Sequence, residues 1–154
     1  MQPIISLKNV YKAYENGPLK QLVLHDISME IAAGEFVAIV GPSGNGKSTL
    51  LNLLTGIDRP SQGLVDVCGS SLHKLKEEQL SIWRGANVGI VFQFFQLLPS
   101  LTLLQNILLP MDFVAKIPKR QRLERARHLL ELVGLAEHTK HLPSQVSGGQ
   151  QQRA

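Results

Sequence analysis

The chain has 154 residues, 44% hydrophobic and 18% charged, with a formal net charge of +4 and one cysteine, Cys68. That size suits one globular domain, the lone cysteine excludes an internal disulfide, and no apolar run approaches the ~18 residues that cross a bilayer. The first residues, Met1 to Ser6, lack the basic start and long apolar core of a signal peptide, so the expected compartment is the cytoplasm.

Ile4 to Tyr14 and Leu22 to Ile31 read as β-rich segments around the turn Asn16-Gly17-Pro18. Ala33-Gly34 turns the chain into the apolar run Glu35–Val40, of strand type. Gly41-Pro42-Ser43-Gly44-Asn45-Gly46-Lys47-Ser48-Thr49 then fits G-x-x-x-x-G-K-[ST] at every fixed position. The glycines let backbone N–H groups curl inward toward phosphate oxygens. Lys47 brings a positive charge to the outer phosphates, and the Ser48 hydroxyl can bind Mg²⁺. The Leu-rich stretch that follows has helical spacing and adds its positive dipole end. Strand, loop and helix in this order give the context the motif requires, so a nucleoside triphosphate is the expected ligand. A plain glycine-rich turn is the alternative that asks nothing of function.

Further along, Arg59–Gly63 is a turn, Leu64–Val67 a short strand ending at Gly69, Lys76–Arg84 helical, and Val88–Phe92 a buried strand. Gln93 follows that strand, where α/β sheets bind ligands, and can reach Mg²⁺ or an attacking water; a strand-ending glutamine is also commonly just exposed. Leu103 to Ala115 and Pro118 to Val133 read as helices separated by Ile117-Pro118. The basic run Lys119–His128 reads as a solvated helix face: no aromatics interleave with it, so no nucleic acid is expected. His138 and His141 resemble half a metal site, but only Glu137 lies near in sequence, and a solvated loop is the better reading. Val146-Ser147-Gly148-Gly149-Gln150 opens an apparent helix and offers, with the Ser147 hydroxyl, a second anion site.

In this order, the motifs resemble those of the nucleotide-binding domain of ATP-binding-cassette (ABC) transporters, over the whole chain. Gly41–Ser48 resembles the Walker A loop, Gln93 the Q-loop glutamine, and Ser147–Gln150 the signature motif, with Val146 where Leu is more usual. Tyr14 resembles the A-loop aromatic that stacks on adenine; packing on the sheet is its alternative role. The stretches Gly41–Gly44, Leu53–Pro60, Val91–Pro99 and Leu142–Gln145 look most like the lipoprotein-releasing and macrolide-export ATPases. Gln105 stands where relatives often carry Glu, near the groove that receives the membrane subunit, which bears on the choice of partner.

The resemblance implies an α/β P-loop NTPase fold: an antiparallel β subdomain (1–35), a P-loop core to the Q-loop (36–95) and a helical subdomain ending in the signature motif (96–154). It implies ATP and Mg²⁺, held by Tyr14, Gly41–Thr49, Gln93 and Ser147–Gln150, with Ser48 and Gln93 on the metal. It implies two ATP-binding domains facing head to tail, an integral membrane permease, and a position on the inner face of the cell membrane. The family's Walker B strand and catalytic Glu follow the signature helix, and no segment up to Ala154 matches them. Leu108-Leu109-Pro110-Met111-Asp112 is apolar then acidic, but Pro110 argues against a central strand. None of the five histidines matches the family's switch histidine. The chain as given is therefore expected to bind ATP without hydrolysing it, and to expose the Phe36–Val40 segment and be poorly stable. Two alternatives stay open: a soluble ABC ATPase of DNA repair or translation, and a non-catalytic fragment. A P-loop GTPase competes weakly, because Asp66-Val67-Cys68-Gly69 fits D-x-x-G but no N-K-x-D follows.

Overall fold

Alternating apolar residues build two long strands, β1 (Ile5–Asn16) and β2 (Leu19–Ile31), which pair antiparallel. The computed structural model describes residues 3–17, 19–92, 96–114 and 116–154, so Pro18 of the expected turn lies outside the described residues. The chain divides into two units, Met1–Val88 and Gly89–Ala154.

In the first unit, β3 (Gln62–Val67) and the two-residue β4 (Ser70–Ser71) complete an antiparallel sheet of order β2-β1-β3-β4. Leu7, Val10, Leu24, Val65 and Val67 point to one face of it. There they meet Leu50, Leu53 and Leu54 of helix α1 (Lys47–Leu54) and Leu80 and Trp83 of helix α2 (Glu77–Asn87). The α1 residues recur at three- and four-residue steps, so a single helix face is buried. Helix α2 carries Glu77 and Glu78 in its first turn and Arg84 in its last, each opposing the local end of the helix dipole. The β1–β2 register shifts past Asn9, whose φ is 47°. Its side-chain amide donates to Asp26 at 2.8 Å. Opposite the irregularity sits Gly63, where an added Cβ would stand 2.2 Å from the Asn9 carbonyl oxygen. Of the Asp66–Gly69 stretch, Asp66 and Val67 end β3 and Cys68-Gly69 is the β3–β4 connection; Asp66 accepts from the Ser71 hydroxyl.

Two expected strands are absent. Residues 35–40 and 88–92 join no ladder. A strand needs a paired neighbour as well as an apolar sequence, and among the described residues neither segment has one, although Ile39 and Val88 pack against the first core. Phe36 is 98% and Val91 100% exposed as a result.

The second unit holds α3 (Leu103–Val114), α4 (Lys119–Leu132) and α5 (Gly148–Arg153). Its core is Leu103, Leu130, Leu135 and Val146. Helix α3 contains Pro110 and includes residues 108–112, which are thus helical and not a strand. It opens with a reciprocal cap. The Thr102 N–H donates to Gln105 Oε1 at 2.8 Å, and the Gln105 N–H to Thr102 Oγ1 at 3.2 Å. Either Glu or Gln can close such a box, so Gln105 serves the helix start without a charge. Helix α4 stops at Gly134, as its sequence indicates, with the Gly134 N–H donating to the Glu131 carbonyl at 2.9 Å. Of its residues, only Ala126 and Leu130 are buried, which leaves the basic run largely on the surface.

Candidate nucleotide-binding site

The loop before α1 is shaped by its glycines. Gly44 and Gly46 have φ of 83° and 78°, the left-handed region that costs other residues about 1–2 kcal/mol. At Gly46, a Cβ would stand 2.9 Å from Leu24 Cδ2 and 3.1 Å from the Val23 carbonyl oxygen. The loop therefore lies against β2 as closely as a residue without a side chain permits. Lys47 Nζ donates to the Gly41 and Pro42 carbonyls at 2.8 and 2.7 Å. Two of its three protons fix the ammonium over the loop, and the third remains for an oxygen ligand.

Helix α1 has no acidic residue in its first turn and no side-chain cap. Its leading N–H groups and positive dipole end are uncompensated by the protein, an arrangement that favours an anion. Ser48 is exposed on that turn beside Lys47, and Gly41, Pro42, Ser43, Gly44 and Asn45 are exposed around it.

Tyr14 belongs to the same unit. Its hydroxyl donates to Asp58 Oδ2 at 2.7 Å, and the Thr49 side chain lies near enough to act on it electrostatically. The ring thus stands beside the start of α1. Lys12, only 9% exposed, pairs with Asp58 Oδ1 at 2.6 Å, with its ammonium 4.6 Å from the Tyr14 ring centroid. The bond to Asp58 raises the Tyr14 pKa above its ordinary value, and burial adds to this. Burial pushes the Asp58 carboxyl upward. Hydrogen bonds from Lys12, Tyr14 and the Arg59 N–H outweigh it and hold Asp58 below the usual value.

In the second unit, Ser147 caps α5. Its Oγ accepts from the Gln150 N–H at 3.3 Å, while its own N–H donates to Gln150 Oε1 at 2.8 Å. Val146 is 9% exposed in the second core, so it anchors the turn as an apolar residue, the place the more usual Leu holds. The glutamine's other end meets a histidine pair. Gln150 Nε2 lies 2.9 Å from His138 Nε2, and His138 Nδ1 lies 3.2 Å from His141 Nδ1. Because a backbone N–H fixes the carbonyl side of Gln150, its amide nitrogen must be the donor to His138. His138 then carries its proton on Nδ1 and donates it to His141. The pair, half-buried in its loop, braces the turn.

Tyr14 and the Gly41–Thr49 loop are therefore brought together in the first unit, and Ser147–Gln150 form a capped turn in the second. Gln93 lies outside the described residues. Sequence reasoning missed Lys12 and Asp58, and it saw His138 and His141 without their role. Asp58 lies 46 positions from Lys12, so only a folded chain juxtaposes them. The glutamine three residues past Ser147 was the one local signal for the second turn's cap.

Comparison with known proteins gives the family. The sequence matches the ABC transporter family over residues 24–154. It is 45% identical over 153 residues to an uncharacterized ABC transporter ATP-binding protein of Thermotoga maritima, covering 99% of this chain and 65% of that protein. It is 44% identical to the lipoprotein-releasing system ATP-binding protein LolD of Pseudomonas syringae, covering 97% of this chain and 66% of that one. The ATP-binding cassette MJ0796, solved as a dimer in a post-hydrolysis state with ADP and Pi, superposes with a TM-score of 0.88. It is 39% identical and is matched over 97% of this chain and 66% of its own. The chain thus spans about two thirds of the length of these relatives. With a match running from Leu24 to Ala154, it belongs to the ABC transporter family, as an ATP-binding domain.

Proposed function

We propose that this chain is the nucleotide-binding part of an ATPase that drives export or lipoprotein release through a membrane permease. The observation that carries nucleotide binding is the loop at the start of α1. Lys47 is fixed over Gly41 and Pro42, and an acid-free helix start lies beside it. Such a site fits a polyphosphate by charge and by backbone geometry. Gly41–Thr49 and Lys47 hold the phosphates, and Tyr14 stacks on adenine. Ser48, with Gln93, supplies oxygen ligands of the kind Mg²⁺ takes; the ion would screen the phosphate charge. LolD relatives at 41% and 44% identity support the transport reading, and the dimeric cassette supports pairing of two copies head to tail. In that pairing, Ser147–Gln150 of one copy meets the outermost phosphate held by the Lys47 loop of the other. The complex lies on the cytoplasmic side, peripheral to the inner face of the cell membrane.

Site-specific cross-linking tests the pairing. With Cys68 changed to Ser, copies carrying Ser43→Cys are mixed with copies carrying Gly149→Cys. ATP should produce a disulfide-linked dimer, and Lys47→Ala should abolish it. Cross-linking that ignores ATP would count against the head-to-tail arrangement.

A further inference from the structure

We propose that Asp58 and Lys12 are positioning residues for base recognition. They hold the Tyr14 ring at a fixed place beside the phosphate loop, so that the site distinguishes a nucleoside triphosphate from a bare triphosphate. The inference rests on the reading of Tyr14 as the platform for the base.

A tyrosine that is 41% exposed at the end of a strand is ordinarily mobile about its side-chain torsions. Ordering it on binding costs affinity. Tyr14 is instead held at its hydroxyl and over its ring. Asp58 Oδ2 accepts from the hydroxyl at 2.7 Å. Asp58 Oδ1 accepts from Lys12 Nζ at 2.6 Å and from the Arg59 N–H at 2.7 Å. Both carboxylate oxygens are thus committed, and Asp58 cannot swing away from the tyrosine without breaking an ion pair.

Lys12 is fixed in turn. Its ammonium also donates to the Arg59 carbonyl at 2.9 Å, and Lys12 is the one charged residue less than a tenth exposed among the described residues. Its charge sits 4.6 Å from the ring centroid, within the range of a cation–π contact. One face of the ring is occupied by that cation, which leaves the opposite face for a base.

The anchor belongs to the phosphate-binding element. The Asp58 N–H donates to the Asn52 carbonyl of α1 at 3.1 Å, and α1 begins at Lys47. Base platform and phosphate cradle are therefore referred to the same helix. A ligand carrying both groups at the right spacing gains from both, and inorganic triphosphate gains only from the loop.

The test is calorimetric titration of the chain with ATP and, separately, with inorganic tripolyphosphate. Asp58→Ala should weaken ATP about tenfold, comparable to losing much of one base–aromatic stack, and leave tripolyphosphate within about twofold. Tyr14→Phe keeps the ring but loses the hydroxyl. It should move ATP affinity in the same direction, and it carries the test if Asp58→Ala does not fold. Equal losses for both ligands, or no loss for ATP in either variant, would overturn the positioning role. If Tyr14→Ala also leaves the ratio of the two affinities unchanged, the platform reading itself fails. If Tyr14→Ala lowers the ratio while Asp58→Ala and Tyr14→Phe do not, only the positioning role fails.

Discussion

Substituting Gly46 with alanine tests how the phosphate loop is built. The residue has φ 78°, so an alanine there pays about 1–2 kcal/mol for the left-handed backbone. Its Cβ would also meet Leu24 Cδ2 at 2.9 Å, Val23 Cγ1 at 3.1 Å and the Val23 carbonyl oxygen at 3.1 Å. Leu24 is 5% exposed within the core and the carbonyl belongs to β2, so neither yields easily. Overpacking of this kind costs about 1–3 kcal/mol. The total, about 2–5 kcal/mol, must appear either as lost stability or as a loop displaced from its phosphate-binding shape. Gly44→Ala is the control: φ is 83°, but nothing lies within 4 Å of the added carbon, so only the backbone cost remains. Urea denaturation and ATP titration of both variants separate the terms. Gly46→Ala should lose more than Gly44→Ala in stability and affinity combined, by at least ~1 kcal/mol. Equal effects, or a Gly46→Ala protein indistinguishable from the parent, would refute the claim that close packing on β2 shapes the loop.

Three further outcomes are expected. Asp58 has a folded pKa below its unfolded value of about 3.9, so it contributes stability that is fully present above the unfolded pKa. That contribution is lost as pH falls through the lower folded pKa; the urea midpoints of the parent and Asp58→Asn should therefore converge in acid, and a gap that widens below about pH 4 would contradict the assignment. His138→Ala removes the acceptor for Gln150 Nε2, a bond worth about 1 kcal/mol. Amide exchange at Ser147 and Gln150 should quicken about fivefold, with His138→Gln, which supplies an acceptor oxygen, restoring it. Asn106 accepts from the Leu98 N–H at 2.7 Å and donates to the Leu98, Leu101 and Thr102 carbonyls. Asn106→Ala leaves this loop unbraced and should cost about 2–3 kcal/mol in a thermal or urea melt.

The parts that were legible in the sequence are those encoded locally. The spacing of Gly41, Gly46 and Lys47 specifies a loop because each residue acts through its own backbone or charge. The Ser147–Gln150 cap and the Gly134 stop are set by side chains a few positions apart. Residues 35–40 and 88–92 read as strands because they are apolar, yet a ladder depends on a distant neighbour, and the composition of one segment cannot supply it. The Lys12–Tyr14–Asp58 cluster joins β1 to the turn after α1, and no local pattern announces it. His138 and His141 were visible as a pair three apart. Their partner proved to be the amide of Gln150, whose orientation is fixed only once Ser147 caps the helix.

The central claim is that the Gly41–Thr49 loop binds the phosphates of ATP through the Lys47 ammonium. It is tested most directly by isothermal titration of the chain with ATP and Mg²⁺, parent against Lys47→Ala. Loss of a charge-assisted hydrogen bond to phosphate costs about 2 kcal/mol, so the variant should bind about 30-fold more weakly. Equal affinities for parent and variant, or no binding by either, would contradict the claim.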